Sequence, residues 1–289
     1  MNKKPFNSLN DYFVRYFFTD KGGEKVLLDF INAVMISANM KTFKSVEILN
    51  PFNLKKNYSD KETIVDVKCI TKNGTIVIIE VQLSGNSRFP ERILYYWSTN
   101  YSKLLKKGEG YEDLTPVISI NLLNFNLNKK DSNVHSCYMI YDTKNKRLLT
   151  DHLQIHIIEL KKFNFKNNNL SKDLNYWLGF FTTKDMEAYM SDIVKEKPIM
   201  EEAHKRYNNF IRSRLMMSEY EKKEIYQYDK QIMLKDERRE GIKEGIKKGK
   251  LEGIKERNYS IAKNLKKAGS DIEFISEITG LTIEEINKL

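Results

Sequence analysis

Two acidic residues lie among apolar neighbours in adjacent β-branched runs, and they are the strongest candidates for chemistry in the sequence. Asp66 belongs to the run Thr63–Thr71, and Glu80 belongs to the run Thr75–Leu83. The short segment Lys72-Asn73-Gly74 separates the runs, which is typical of a β-hairpin. Because an unpaired buried carboxylate is costly, both acids should have a partner, and a metal ion is the obvious candidate.

The length of the turn decides whether the two acids can share one ion. A two-residue Asn73-Gly74 turn places Asp66 opposite Val81, on the other face from Glu80. A three-residue loop with a left-handed Gly74 instead pairs Asp66 with Glu80. On that register one face carries four polar side chains, namely Asp66, Lys68, Glu80 and Gln82. The residues alone also fit an edge hairpin whose polar face is solvated.

A series of short motifs between about residues 8 and 165 gives this hairpin a context. The motifs are Asp11-x(3)-Arg15-x(2)-Phe18, Asn50-Pro51-Phe52, Lys61-x(4)-Asp66-Val67, Gly74, Ile79-Glu80-Val81-Gln82, Arg92-x(3)-Tyr96, Gly108-x(2)-Tyr111, Leu114-x-Pro116-Val117-Ile118-x-Ile120 and Glu159-Leu160-x-Lys162-Phe163. In order and spacing they resemble the PD-(D/E)XK nuclease superfamily, and more narrowly its recombination-promoting nuclease (Rpn)/transposase family. The Gly-Ile-Lys-Glu repeats near the C-terminus are also similar to that family.

The resemblance implies an α/β fold and a divalent-metal-dependent DNA endonuclease. The expected fold is a PD-(D/E)XK αβββαβ core with added strands, followed by an all-helical C-terminal region. Asp66 and Glu80 would bind Mg²⁺ or another divalent cation such as Mn²⁺, with the Val81 carbonyl as a possible third ligand. A bound metal lowers the pKa of a water and stabilises charge on a phosphate.

One residue departs from the superfamily pattern, because Gln82 stands where the consensus has Lys. The Rpn-like family commonly has Gln here, so the change does not by itself indicate an inactive enzyme. Lys68, on the same strand face as Asp66, is the candidate for the missing cation.

Three further residues are candidates for the site, and two of them, Asp11 and Tyr96, have a second interpretation. Asp11 either caps the first helix or, as the resemblance favours, supplies an outer-shell acid. Arg92 and Tyr96 lie four apart on one predicted helix and are candidate nucleic-acid contacts at the mouth of the site. Tyr96 fits the hydrophobic core equally well.

Periodicity predicts the elements that position these residues. We predict helices at 11–18, 24–37, 88–106, 174–181, 184–194, about 199–235 and about 260–268, and strands at 43–49, 116–123, 134–141 and 154–160 beside the hairpin. His152 and His156 are expected on one face of the last strand. We favour a surface strand over a zinc site there, since zinc needs three or four ligands.

The C-terminal part is basic and repetitive. The net charge of the chain is +10, and the segment 235–267 holds 12 Lys/Arg against 6 Asp/Glu. This positive excess suits binding to DNA, but it is equally typical of an ordinary solvated helix. Gly241, Gly245, Gly249 and Gly253 recur every four residues, and we predict homo-oligomer formation through this tail.

Two capping boxes, Ser270-x-x-Glu273 and Thr282-x-x-Glu285, predict two short final helices in a unit resembling a helix-turn-helix. The predicted domains are 1–165 (nuclease-like), 166–235 (helical extension) and 236–289 (basic repeat and small helical unit).

Composition narrows the function classes. No apolar run approaches the roughly 20 residues needed to span a bilayer, so we expect no membrane contact. Cys69 and Cys137 lie in apolar runs and are expected to be buried thiols of a cytoplasmic protein. Three functions remain open: a metal-dependent endonuclease, a catalytically degenerate relative that binds DNA or a partner, and an unrelated assembly protein with a helical tail.

Overall fold

The computed structural model describes residues 6–52, 65–85 and 88–289. In that part of the chain the helices are α1 (Asp11–Thr19), α2 (Glu24–Ser37), α3 (Phe89–Ser102), α4 (Lys172–Thr182), α5 (Met186–Glu196), α6 (Ile199–Arg212), α7 (Arg214–Lys267), α8 (Ile272–Thr279) and α9 (Ile283–Asn287). The strands are β1 (Val46–Ile48), β2 (Val67–Thr71), β3 (Ile76–Gln82), β4 (Val117–Leu123), β5 (His135–Tyr141) and β6 (Leu148–Glu159).

The described strands form one mixed sheet in the order β1-β2-β3-β4-β6-β5. The central strands β3, β4 and β6 are parallel, while β1, β2 and β5 pair antiparallel to their neighbours. Strand β4 is buried along its whole length, as expected for an apolar strand in the middle of a sheet. The predicted mixed α/β class is therefore confirmed.

The hairpin has the register that the three-residue loop predicted. Val67 pairs with Ile79 and Ile70 pairs with Ile76, so the position of Asp66 falls level with Glu80. Gly74 has φ +81°, the left-handed conformation that this loop requires. The Lys61 and Thr63 positions of the predicted pattern lie outside the described residues.

The two faces of the sheet are covered by different helices. Odd-numbered hairpin residues such as Val67, Val77 and Ile79 join a large core with α1, α2, α4 and α6. Ile76 and Ile78 point to the opposite face, where they pack with Phe89, Ile93 and Trp97 of α3. By strand alternation, the polar side chains of Lys68, Glu80 and Gln82 belong to the α3 side, whereas Asp66 immediately precedes β2.

Arg206 of α6 anchors the end of α1. Its guanidinium is buried and donates to the backbone carbonyls of Tyr16 (3.2 Å), Phe17 (2.7 Å), Asp20 (3.0 Å) and Lys21 (3.2 Å). These carbonyls lie at the C-terminal end of α1, which lacks helical partners and favours positive charge. A residue late in the chain thus fixes the helix that carries Asp11.

The helical region differs from the sequence prediction in three places. The helix predicted over 199–235 is interrupted at Ser213, and α7 then continues as one 54-residue helix through the glycine repeat. Asp271, not Ser270, caps α8, because its carboxylate accepts from the amides of Glu273 and Phe274. The second predicted capping box, at Thr282 and Glu285, is confirmed.

Contacts divide the chain into two compact units, Met1–Lys223 and Glu224–Leu289. In the second unit a small core of Ala262, Ile275, Leu281 and Ile286 joins the end of α7 to α8 and α9.

The described residues include no helix long and apolar enough to cross a membrane. Cys69 is buried as predicted, whereas Cys137 is partly exposed.

Candidate active site

Asp66 immediately precedes β2, and hydrogen bonds from neighbouring segments hold it in place. The Asp66 Oδ2 atom accepts a 2.7 Å hydrogen bond from the Val81 amide, so the carboxylate bridges to β3 where the strand pairing ends. Asn50 fixes the same segment, because its Nδ2 donates to the Val65 carbonyl (3.1 Å) and its Oδ1 accepts from the Lys68 amide (2.7 Å). These bonds give the Asn50 motif a structural role beside the acid.

Glu80 is buried next to Asp66 and is only half satisfied. Its side chain is 7% exposed, and its Oε2 accepts from Gln82 Nε2 at 3.1 Å. The Oε1 atom has no hydrogen-bond partner among the described residues. A buried carboxylate oxygen without a donor is strongly unfavourable unless a proton or a cation occupies it.

The electrostatics of the two acids disfavour two unpaired negative charges at this place. Burial raises the pKa of Asp66 to about 7; the Asp11 charge raises it too, while the Val81 amide and the charges of Arg15 and Lys223 lower it. Burial, and then the charge of Asp66, raises the pKa of Glu80 well above its usual value. The pair therefore favours a bound proton or cation more strongly than two separate exposed carboxylates would.

Gln82 and Arg92 continue from Glu80 toward α3. Arg92 Nη2 donates to Gln82 Oε1, which orients the Gln82 amide so that its NH₂ group faces Glu80. The Arg92 guanidinium lies 5.2 Å from the ring centre of Phe89 and 5.9 Å from that of Tyr96. Arg92 is thus linked to the acid pair through Gln82, and Tyr96 is partly buried beside it.

Lys68 and Asp11 are placed differently from each other. Lys68 lies on the predicted face, but burial and the charge of Lys103 lower its pKa, and its charge is not among those acting on either acid. Asp11 is the first residue of α1 rather than its cap, which is Asn10. The Asp11 charge acts on Asp66, so the structure brings this third acid to the site.

Two basic residues at the site were missed by sequence reasoning. Arg15 lies one turn after Asp11 on α1, within the motif that carried Asp11, and its spacing could have identified it. Lys223 of α7 forms a 3.3 Å ion pair with Asp11 Oδ2, across 212 positions of sequence. No local pattern marks Lys223, since it follows Lys222 in a highly charged helix.

The two histidines do not come together. His152 Nδ1 lies 2.9 Å from the hydroxyl of Tyr101, on the α3 side. His156 is fully buried, with Nδ1 3.0 Å from His135 Nε2 and Nε2 3.8 Å from Cys137 Sγ. The expectation of a shared, surface-exposed face was wrong, because β6 is irregularly paired near Thr150 and turns His156 into the larger core.

The donor set at the hairpin suits a hard divalent cation. Within the described ranges, no three His, Cys, Asp or Glu side chains gather as a metal-binding group. Asp66 and Glu80 nevertheless offer carboxylate oxygens, of which Glu80 Oε1 is buried and unpartnered. Mg²⁺ fits two carboxylates well, since it retains several waters and takes few protein ligands.

A mixed sheet whose hairpin carries an acid pair, backed by a helix with a linked arginine, is consistent with the PD-(D/E)XK nuclease class. Residues 8–237 match the family described as PD-(D/E)XK nuclease family transposase, and the chain belongs to that family. No curated protein and no solved structure is significantly similar to the chain.

Proposed function

We propose that the protein is a divalent-metal-dependent DNA endonuclease that hydrolyses phosphodiester bonds. The observation that carries the proposal is the buried, unpartnered Glu80 Oε1 beside a second carboxylate whose pKa burial raises to about 7. Family membership makes DNA the expected substrate. The observed order of helix, three strands, helix and strand (α2, β1, β2, β3, α3, β4) supports the αβββαβ core.

Asp66 and Glu80 would hold the cation, which would activate a water and offset charge on the phosphate. Val81 and Gln82 orient the two carboxylates, each by a hydrogen bond to one carboxylate oxygen. Arg92 fixes Gln82 and presents positive charge at the substrate side, where Tyr96 can pack against the nucleic acid. Asp11 acts from outside the metal shell through its charge on Asp66.

The test is plasmid nicking with Mg²⁺ or with EDTA. Asp66→Ala and Glu80→Ala should each abolish cleavage while the melting temperature stays close to that of the wild type. Asp131→Ala is the matched control, because Asp131 is an exposed acid paired with Lys162 in another part of the fold. Cleavage that persists in either hairpin variant, or in EDTA, would refute the assignment.

One observation favours a second candidate, a relative that binds DNA without cutting it. Gln82 carries no charge where the superfamily consensus has Lys, and its amide is already engaged by Glu80 and Arg92. A mobility shift of DNA by wild-type protein without any nicking, under the same Mg²⁺ conditions, would select this alternative.

The second unit supports a further part of the proposal, self-association through the tail. Ile242, Ile246 and Ile254 are each more than half exposed along α7. A Cβ built at Gly241, Gly245, Gly249 or Gly253 meets nothing within 4 Å, so this side of the helix can accept a closely packed partner. The basic excess of the same segment would add salt-sensitive affinity for DNA.

A further inference from the structure

The proposed nuclease site lacks a strand lysine, and the structure offers a replacement from elsewhere in the chain. Lys68 was the natural candidate, but burial and then the charge of Lys103 lower the pKa of its ammonium group, and its charge is not among those that shift the pKa of Asp66 or Glu80. Arg92 reaches the Glu80 side of the site through Gln82. On the Asp66 side the basic groups are Arg15 and Lys223.

Lys223 is held at this place by the packing of the first turns of α7. Tyr220, one turn earlier, is 7% exposed and stacks on Phe6 with ring centres 4.7 Å apart. Its hydroxyl accepts a 2.7 Å hydrogen bond from the Asn7 amide, just before α1. These contacts fix the helix backbone against the N-terminal segment, so the approach of Lys223 to Asp11 is built into the first unit.

The Lys223 side chain is only partly buried in its pair with Asp11. Its side chain and that of Asp11 are each 38% exposed, and the Nζ–Oδ2 distance is 3.3 Å. A partly exposed ion pair of this kind contributes little to stability. A lysine on a four-carbon stem can therefore exchange Asp11 for another anion at small cost.

The charges at the site call for such an exchange. The charge of Asp11 acts on Asp66 and the charge of Asp66 acts on Glu80, and DNA brings a further negative charge to this row of acids. A single divalent cation cannot balance three carboxylates and a phosphate, so basic side chains must supply the remainder.

We propose, on the basis of the proposed nuclease function, that Lys223 binds the scissile phosphate opposite Arg92 and supplies the cationic role that Gln82 cannot. The ammonium group leaves Asp11 when DNA enters, and it donates to a non-bridging phosphate oxygen. A residue of the long C-terminal helix thereby completes a site whose metal-binding acids are on the hairpin.

The experiment compares Lys223→Gln, Lys223→Arg and the matched control Lys222→Gln in single-turnover cleavage of a short duplex with Mg²⁺. Lys222 is adjacent, more exposed, and paired with Glu219 on its own helix. Lys223→Gln should reduce the cleavage rate constant by about ten- to a thousand-fold, the cost of one lost contact to transition-state charge. Lys223→Arg should recover most of the rate, and Lys222→Gln should cleave like the wild type.

A second comparison separates phosphate binding from mere positioning of Asp11. If Lys223 acts on the phosphate, the losses in Asp11→Asn and Lys223→Gln multiply in the double variant. If Lys223 only holds Asp11, the double variant is no slower than the slower single variant, and the proposal is overturned. It is also overturned if Lys223→Gln and Lys222→Gln cleave at the same rate. A wild-type protein that cleaves nothing refutes the proposed function instead, and melting temperatures of all variants exclude unfolding as the cause.

Discussion

Replacing Asp66 by Asn should raise stability when Mg²⁺ is absent, and Mg²⁺ should remove most of that gain. The pKa of Asp66 rises from 3.8 to about 7 on folding, chiefly through burial. Because the folded pKa is raised, the carboxyl group stabilises the fold fully below pH 3.8, and this contribution is lost as the pH rises through 7. A rise of this size corresponds to about 4 kcal/mol at pH 8, and to about 1.5 kcal/mol at pH 5.

The Asp66→Asn variant avoids this cost, because it carries no charge and its amide oxygen can still accept from Val81. In EDTA at pH 8 its free energy of unfolding should exceed that of the wild type by about 2–4 kcal/mol, and at pH 5 by about 1.5 kcal/mol or less. Mg²⁺ at a hundred times its dissociation constant should then stabilise the wild type by about 2.7 kcal/mol, and the variant by much less.

The assay is urea denaturation of both proteins at pH 5 and pH 8, with EDTA or Mg²⁺. Asp131→Asn is the control: the ammonium of Lys162 lowers the pKa of Asp131, so its loss should reduce stability without any dependence on Mg²⁺. Two results would refute the reasoning: an Asp66→Asn variant that is less stable than the wild type in EDTA at pH 8, or an equal gain from Mg²⁺ in both proteins.

Three other predictions follow from different parts of the chain. Arg92→Ala should slow Mg²⁺-dependent cleavage by about ten- to a thousand-fold. The loss should exceed that of Lys68→Ala, because of these two residues only Arg92 is linked to Glu80. Equal rates of the two variants in the cleavage assay would contradict this. Burial lowers the pKa of His156 from 6.5 to about 3. The contribution of the neutral imidazole to the free energy of unfolding is therefore complete above pH 6.5 and should fall by about 2 kcal/mol at pH 5. In urea denaturation, His156→Gln should not show this loss. Deleting residues 236–289 should lower the oligomeric state measured by light scattering and weaken DNA binding while leaving metal-dependent cleavage intact; an unchanged number of subunits per particle would rule out association through the tail.

The sequence predicted the hairpin well because local rules determine it. A left-handed Gly74 selects a three-residue loop, and strand alternation then determines which side chains share a face. Helix α2 was predicted with its observed ends, since its apolar stripe is regular and its length is typical. These features depend on neighbours within a few residues.

The features that escaped prediction depend on distant partners. His156 is buried because β5 places His135 and Cys137 beside it, and no periodicity within β6 indicates that pairing. Lys223 reaches Asp11 only because the start of α7 packs near the N-terminal segment. The glycine repeat did not end the helix, although each Gly costs about 1 kcal/mol relative to Ala, because helix formation continues cooperatively from both sides.

The anchoring of α1 by Arg206 has a consequence for how the protein is made. When the hairpin emerges from the ribosome, the nascent chain already contains Asp66 and Glu80, but the carbonyls at the end of α1 still lack the guanidinium of Arg206. The helix that carries Asp11 and Arg15 acquires this anchor only after α6 has emerged, and Asp11 acquires Lys223 later still. Synthesis from the N-terminus therefore delays assembly of the complete site until more than two thirds of the chain has been translated.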